Sequence, residues 1–167
     1  MAHIPVNHPL QPFYRFVGGL AGLYVFVFGV IGVTRTRDLA TFERHGLPTV
    51  LFLHTNRAFA ILSIVMGAVL LLGAIIGRVL NHLLNLIAGI VFLVAGLVML
   101  VFLQTDLNLL GFGVSTCVAS FILGLVLVTA GLYGKVGNSA AVAREEAWRH
   151  GVAAEEVDRD AGVSVAA

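Results

Sequence analysis

The chain has 167 residues and a formal net charge of +1, and 59% of its residues are hydrophobic but only 11% are charged. Its mean hydropathy of +0.98 excludes an ordinary water-soluble domain. The length suffices for one membrane domain with a short tail and leaves no room for a separate soluble catalytic domain. The basic residues form no run of the kind that binds nucleic acid, so we expect no nucleic-acid partner.

The first apolar stretch predicts a membrane span over about residues 13–33. Arg15 lies near its start, and a cluster from Arg35 to Arg37 follows its end. Arginine near the end of a membrane helix extends to the interface, so these side chains mark the two membrane surfaces. The polar segment that follows, residues 34–50, is predicted to be a loop.

The longest uniform apolar stretch runs from Ala58 to Gly77 and contains no ionisable residue and no proline. Twenty residues of α-helix extend about 30 Å, which matches the hydrocarbon core of a bilayer. Proline is tolerated in the first turn of a helix, so Pro48 allows an earlier start. We therefore predict a span over residues 51–77, whose first turns carry His54, Asn56 and Arg57 at the membrane surface.

Two further apolar stretches predict spans over residues 82–103 and 114–133. The second and third spans are expected to form a tight helical hairpin. Residues 1–134 are thus predicted to be an all-α, four-transmembrane-helix bundle. Residues 135–167 are predicted to be a polar tail with a short helix followed by disorder.

The predicted number of spans is even, so both termini are expected on the same side of the membrane. That side has the larger share of the arginine and lysine residues, which favours a cytoplasmic location for both termini. The sequence therefore predicts a multi-pass protein of the plasma membrane, with the lipid bilayer as its first partner.

Small residues recur seven positions apart in every predicted span. The pairs are Gly22 and Gly29, Gly67 and Ala74, Gly89 and Gly96, and Gly124 and Gly131. Seven residues are close to two helical turns, so each pair lies on one face, where small side chains let helix backbones approach closely. We interpret these faces as helix-packing surfaces, with a glycine-lined conduit as the alternative, and we expect Val94 and Leu127 to face lipid.

The histidines do not form a recognisable ligand set. His54 and His82 flank the second span and would lie roughly 35 Å apart along a continuous helix, so they cannot share one iron. His45 and His54 share one side with Glu43, but their spacing matches no established metal site. No cofactor and no metal are predicted, and no catalytic motif is present.

A possible interfacial polar cluster consists of His54, Asn56, Arg57 and Asp106. Arg57 is expected at the entrance of the second helix, and Asp106 lies in the short loop between the third and fourth. Both lie on the side opposite the termini, so we predict that they form an ion pair. The alternative is that Arg57 extends to the lipid headgroups.

Three segments resemble an actinobacterial family of four-helix membrane proteins, described as domain of unknown function 4383. They are HPLQPFYRFVGGLAGLYVFVFGVIGV, NHLLNLIAGIVFLVAG and LNLLGFGVSTCVASFILGLVLVTAGLYGKVG. The resemblance covers most of the chain. It implies an actinobacterial host and a four-helix membrane fold, and it implies no activity.

The predicted spans contain small-residue surfaces but no Asp, Glu, Lys, Arg or His near their middle. We therefore expect no enzyme but a non-catalytic accessory or scaffolding subunit of an envelope or respiratory complex, which packs against other membrane subunits or against its own copies. A small transporter or pore is the main alternative. A haem- or quinone-binding membrane subunit is the weaker one.

Overall fold

The computed structural model describes residues 9–137 and Val142, so most of the predicted polar tail lies outside the described residues. Its elements are α1 (Gln11–Arg35), β1 (Thr49–Val50), β2 (Leu53–His54), α2 (Arg57–Ile76), α3 (Arg78–Phe102) and α4 (Val114–Tyr133). All four of these helices are long and apolar enough to cross a membrane. The predicted all-α four-helix membrane bundle is confirmed.

The four helices form two closely packed pairs. α1 lies along α2 and α3 lies along α4, while the contacts of α1 with α4 and of α2 with α3 are less extensive. Each helix contributes one buried apolar residue to a cluster near the middle of the bundle, which consists of Ala21, Leu70, Ala88 and Leu127. This central cluster fills the interior, with Met66, Phe92 and Leu123 packed around it.

The central cluster corrects one expectation about lipid exposure. Leu127 is fully buried, so the expectation that it faces lipid is wrong, because α4 turns this face toward the core and not outward. Val94 is 53% exposed on α3, where none of the described helices covers it. Val94 is therefore suitable as a lipid-facing control position.

The contact of α1 with α2 depends on glycine at three of the predicted packing positions. A Cβ on Gly29 would lie 2.6 Å from the backbone nitrogen of Ile64, and one on Gly22 would lie 2.8 Å from the Cβ of Leu70. A Cβ on Gly67 would overlap the backbone of Phe26. Because real Cβ atoms do not approach this closely, the two backbones can only lie so near each other without a side chain at these positions. Ala74 packs more loosely, opposite Gly19 of α1.

The contact of α3 with α4 has the same character. A Cβ on Gly89 would lie 2.6 Å from the backbone nitrogen of Val128, and one on Gly131 would lie 2.8 Å from that of Leu86. Gly124 faces the side chain of Leu93. Gly96 is less crowded, since its nearest neighbour, the carbonyl oxygen of Cys117, would be 3.2 Å away.

The turn between α2 and α3 is shorter than the sequence predicts. α3 begins at Arg78 and not at His82, because Gly77 reverses the chain with a φ of +73° and caps both helices. Arg15 of α1 secures this turn by donating hydrogen bonds to the carbonyl oxygens of Ala74 at 2.5 Å and Ile75 at 2.7 Å. A cation at the C-terminal end of a helix is favoured by the helix dipole.

The prediction that α2 extends back to residue 51 is wrong. The chain instead forms a two-stranded antiparallel hairpin, in which Val50 pairs with Leu53. The two residues between them have positive φ, as a tight hairpin turn requires. Asn56 then starts the helix as its N-cap, accepting a hydrogen bond from the Phe59 N–H group at 2.9 Å. His54 therefore lies in a strand and not on a helical turn.

Replacement of Gly131 by Leu is expected to destabilise the bundle strongly, because the new side chain would push the α4 backbone away from Leu86. Overpacking of this kind costs about 1–3 kcal/mol, and more where backbone must move. The matched control is Val94→Leu, which adds bulk on the lipid-facing side. Thermal unfolding in a mild detergent measures both variants, and equal melting temperatures for the two would contradict the packing role of the glycine.

Candidate functional site

The polar residues at one end of the bundle form the candidate site. We call this end the loop end and define it as residues 36–56 and 103–113, which connect α1 to α2 and α3 to α4. The opposite end, where Gly77 turns α2 into α3, is the turn end. The hairpin residues Val50 and Leu53 are buried against Phe28 of α1, so the loop end is anchored to the helices beneath it.

Asn56 holds three segments of the loop end together. Its side chain is completely buried, and its Nδ2 donates to the carbonyl oxygens of Glu43 at 3.1 Å and Leu109 at 2.9 Å. Its Oδ1 accepts the Phe59 N–H group that begins α2. One amide thus connects the loop after α1, the start of α2 and the loop after α3. The role of Asn56 is structural.

A second asparagine closes the loop between α3 and α4. Asn108 Nδ2 donates to the carbonyl oxygens of Leu103 at 3.1 Å and Phe112 at 2.9 Å, and its Oδ1 accepts the Phe112 N–H group at 2.8 Å. This folds the loop back and buries the Phe112 ring, whose centroid lies 4.7 Å from that of Phe59. Phe112 is therefore fixed between the loop and the helices.

The predicted ion pair has a different cation. Asp106 Oδ1 lies 2.7 Å from Nη1 of Arg44, so the prediction that Asp106 pairs with Arg57 is wrong. The loop after α1 folds across the loop end and brings Arg44 to Asp106, while Arg57 is exposed at the first residue of α2. The Asp106 side chain is fully solvent-exposed. Exposed pairs of this kind contribute about 0–1 kcal/mol to stability.

The predicted polar cluster is therefore divided in the structure. Asn56 is a buried structural residue, Asp106 joins Arg44, and Arg57 stands apart from both. His54 is exposed on strand β2, with its ring beside Gly113. Sequence reasoning missed Asn108 and the part played by Arg44, because both depend on how the two loops meet.

Arg44 lies between two clefts at the loop end. The larger, which we call the interfacial cleft, has a volume of about 410 Å³ and is lined by polar and apolar groups that include Arg44, His54, Asn108 and Phe112. The smaller, of about 200 Å³, contains Arg44 and Asp106. Arg44 thus lines both clefts, and Asp106 in the smaller one contacts its guanidinium group.

Glu43, the residue before Arg44, forms hydrogen bonds within its own turn. The Glu43 carboxylate accepts hydrogen bonds from the backbone N–H groups of Arg44 at 3.0 Å and His45 at 3.3 Å. These two bonds lower the pKa of the Glu43 carboxyl below its ordinary value, because they favour the charged form. Glu43 therefore stays ionised and stabilises the turn that presents Arg44.

An apolar crevice adjoins the interfacial cleft and is lined mainly by α2 and α3, with Val25 of α1 and Ser120 of α4 also contributing. Its volume is about 70 Å³, and its walls include Phe59, Met66, Phe92, Ala95 and Phe112. Two serines also line it, but the hydroxyl groups of Ser63 and Ser120 donate to backbone carbonyls one turn earlier in their own helices. The crevice therefore presents an almost entirely apolar surface.

The turn end contains a buried amide pair that sequence reasoning also missed. Asn85 Nδ2 donates to Asn81 Oδ1 at 3.1 Å, and each side chain is only 1% exposed. The Nδ2 of Asn81 has no hydrogen-bond partner among the described residues. His82 Nδ1 donates to the Gly131 carbonyl oxygen at 2.6 Å, which ties α3 to α4 beside the pair. The helical spacing of these asparagines was the signal available in the sequence.

Within residues 9–137, no group of three or more His, Cys, Asp or Glu side chains could hold a metal ion. No significant match to the chain is found among family models, curated proteins or solved structures. The resemblance to the actinobacterial four-helix family thus stays a prediction.

Replacement of Asn56 by Ala is expected to destabilise the protein by about 2–4 kcal/mol, from the lost N-cap and two carbonyl groups left without a donor. Asn56→Asp keeps an oxygen for the Phe59 N–H group but loses both donors. We expect it to be no more stable than the alanine variant. The control is Gln104→Ala, at an exposed position of the loop after α3. Thermal unfolding measures all three variants, and full rescue of stability by aspartate would contradict the role of Asn56 in joining the three segments.

Proposed function

We propose that this chain is a non-catalytic membrane protein that acts as an accessory or scaffolding subunit of a plasma-membrane envelope or respiratory complex. The observation that carries the proposal is the filled centre of the bundle. Ala21, Leu70, Ala88 and Leu127 close it at mid-depth, where a transporter or pore needs a polar path. A bundle with a filled apolar centre suits a protein that acts by binding partners at its outer surface.

The distribution of charge in the helices supports the same proposal. In the described helices, the Asp, Glu, Lys, Arg and His residues all lie within two turns of a helix end; they are Arg15, Arg35, Arg57, Arg78 and His82. Ion-coupled carriers and proton pumps place such groups deep within the membrane. A bundle without them is better suited to binding other membrane helices.

The outer face of α3 is the surface we assign to a protein partner. Of the 18 most apolar consecutive residues of α3, only 22% are buried inside the protein, compared with 39% for the corresponding stretches of α1 and α4. Apart from Arg78 at its start, the exposed residues of α3 are apolar, including Val94, Leu97 and Val101. In lipid, such a face associates with another helix through van der Waals packing.

Photo-crosslinking in the native membrane tests this proposal. A benzophenone amino acid at Leu97, on the outer face of α3, is expected to capture one discrete membrane protein. The control is the same probe at Phe16, which is 67% exposed on α1. Capture of lipid alone at both positions, together with solute flux through vesicles containing only this chain, would overturn the proposal in favour of a transporter.

We assign the turn end to the cytoplasm. The start of α1 and the end of α4 are then also on the cytoplasmic side. Six of the ten Arg and Lys residues belong to the segments that adjoin the turn end, and four belong to those of the loop end. The six are Arg15, Arg78, Lys135, Arg144, Arg149 and Arg159. By the positive-inside rule this excess supports a cytoplasmic turn end. The loop end, with the candidate site, then faces the outside.

The orientation can be tested by cysteine labelling in intact cells, after Cys117→Ala removes the single native thiol. A cysteine at Thr105 of the loop end is expected to react with an impermeant maleimide. A cysteine at Lys135 of the turn end is expected to react only after the cells are opened. The reverse pattern would show that the chain has the opposite orientation.

A further inference from the structure

The interfacial cleft and the apolar crevice have one lining residue in common, Phe112. The cleft is also lined by the polar loop residues Arg44 and His54. The crevice is apolar and is lined mainly by two membrane-spanning helices, α2 and α3. A polar cleft that adjoins an apolar crevice is the shape of a site for an amphiphile, which has a polar head and an apolar tail.

The crevice is open to the membrane and narrow. Leu62 of α2 and Val91 of α3, which line it, are 48% and 46% exposed on the lipid-facing surface. From Phe59 to Met66 it follows α2 for about 10 Å, at 1.5 Å per residue. A helix with its side chains is about 10–12 Å wide, far too large for a cavity of about 70 Å³. A short part of a single hydrocarbon chain, entering from the lipid side, is the occupant that fits.

The cleft supplies a cation for the head of such a molecule. Asp106 engages only Nη1 of Arg44, and the remaining guanidinium N–H groups make no hydrogen bond with any residue that the structure describes. Glu43 is held by its own turn, and Asp106 lies in the neighbouring cleft. An arginine with free donors beside a membrane surface favours a phosphate group.

We propose that the loop end binds an anionic phospholipid of the surrounding bilayer. Its phosphate contacts Arg44 in the interfacial cleft, and one acyl chain passes Phe112 and places part of its length in the crevice. This site does not depend on the proposed accessory function, since it needs no protein partner.

Native mass spectrometry of the detergent-solubilised full chain tests the head of the lipid. The probe is palmitoyl-oleoyl phosphatidylglycerol, compared with the phosphatidylcholine of the same chains and with inorganic phosphate alone. We expect phosphatidylglycerol to bind best, and Arg44→Gln to weaken it about tenfold through loss of a charge-assisted hydrogen bond. The matched control Arg57→Gln removes a nearby exposed charge and is expected to change nothing. Equal binding of phosphatidylcholine, or an equal effect of Arg57→Gln, would overturn the assignment of the head.

The tail is tested by filling the crevice. Ala95→Phe places a ring where the chain would lie and is expected to weaken phosphatidylglycerol binding several-fold, whereas Val94→Phe on the adjacent lipid-facing position is not. If Ala95→Phe does not fold, lipids with acyl chains of different length are compared on the unaltered protein. Dihexanoyl phosphatidylglycerol is then expected to bind more weakly than the long-chain lipid. Equal binding of both lengths, or of inorganic phosphate, would show a site for a free anion and overturn the proposal.

Discussion

The distance between helix backbones is the constraint on which the rest of the structure depends. In lipid, burial of apolar side chains gives little drive for helix association, so van der Waals contact at short range must provide it. Gly89 and Gly124 show how close this contact is, because a Cβ on either would come within 3.0 Å of the other's carbonyl oxygen. That proximity also allows weak Cα–H···O contacts across the pair. Larger side chains there would separate the helices and open the centre.

Close contact within the pairs leaves the boundary between them less well filled. α2 and α3 are connected by a turn of one residue, Gly77, and meet near it where Gly73 faces Leu84. Toward the loop end, the same two helices leave room for the apolar crevice. The crevice therefore arises from the same packing that stabilises the bundle, since each of these helices is held most firmly by a different neighbour.

The helices could be predicted from sequence because a bilayer imposes a length and a composition on each of them. The glycine positions also followed from helical periodicity, and they lie at helix contacts in the structure. The loop end could not be predicted in the same way. Asn56 is a favourable N-cap residue, which was a local signal for the start of α2. The pairing of Asp106 with Arg44 has no local signal, because the two residues are 62 positions apart and meet only when both loops are folded.

The asparagines explain why the loops can be ordered at a membrane surface at all. Loop backbones carry N–H and C=O groups that must find partners as they approach lipid. Asn56 and Asn108 provide such partners for several backbone groups and are themselves buried. Asn108 also fixes Phe112, which lines both the polar cleft and the apolar crevice. The same loops position Arg44, since Asn56 bonds the carbonyl oxygen of its neighbour Glu43 and Asn108 lines the cleft together with Arg44.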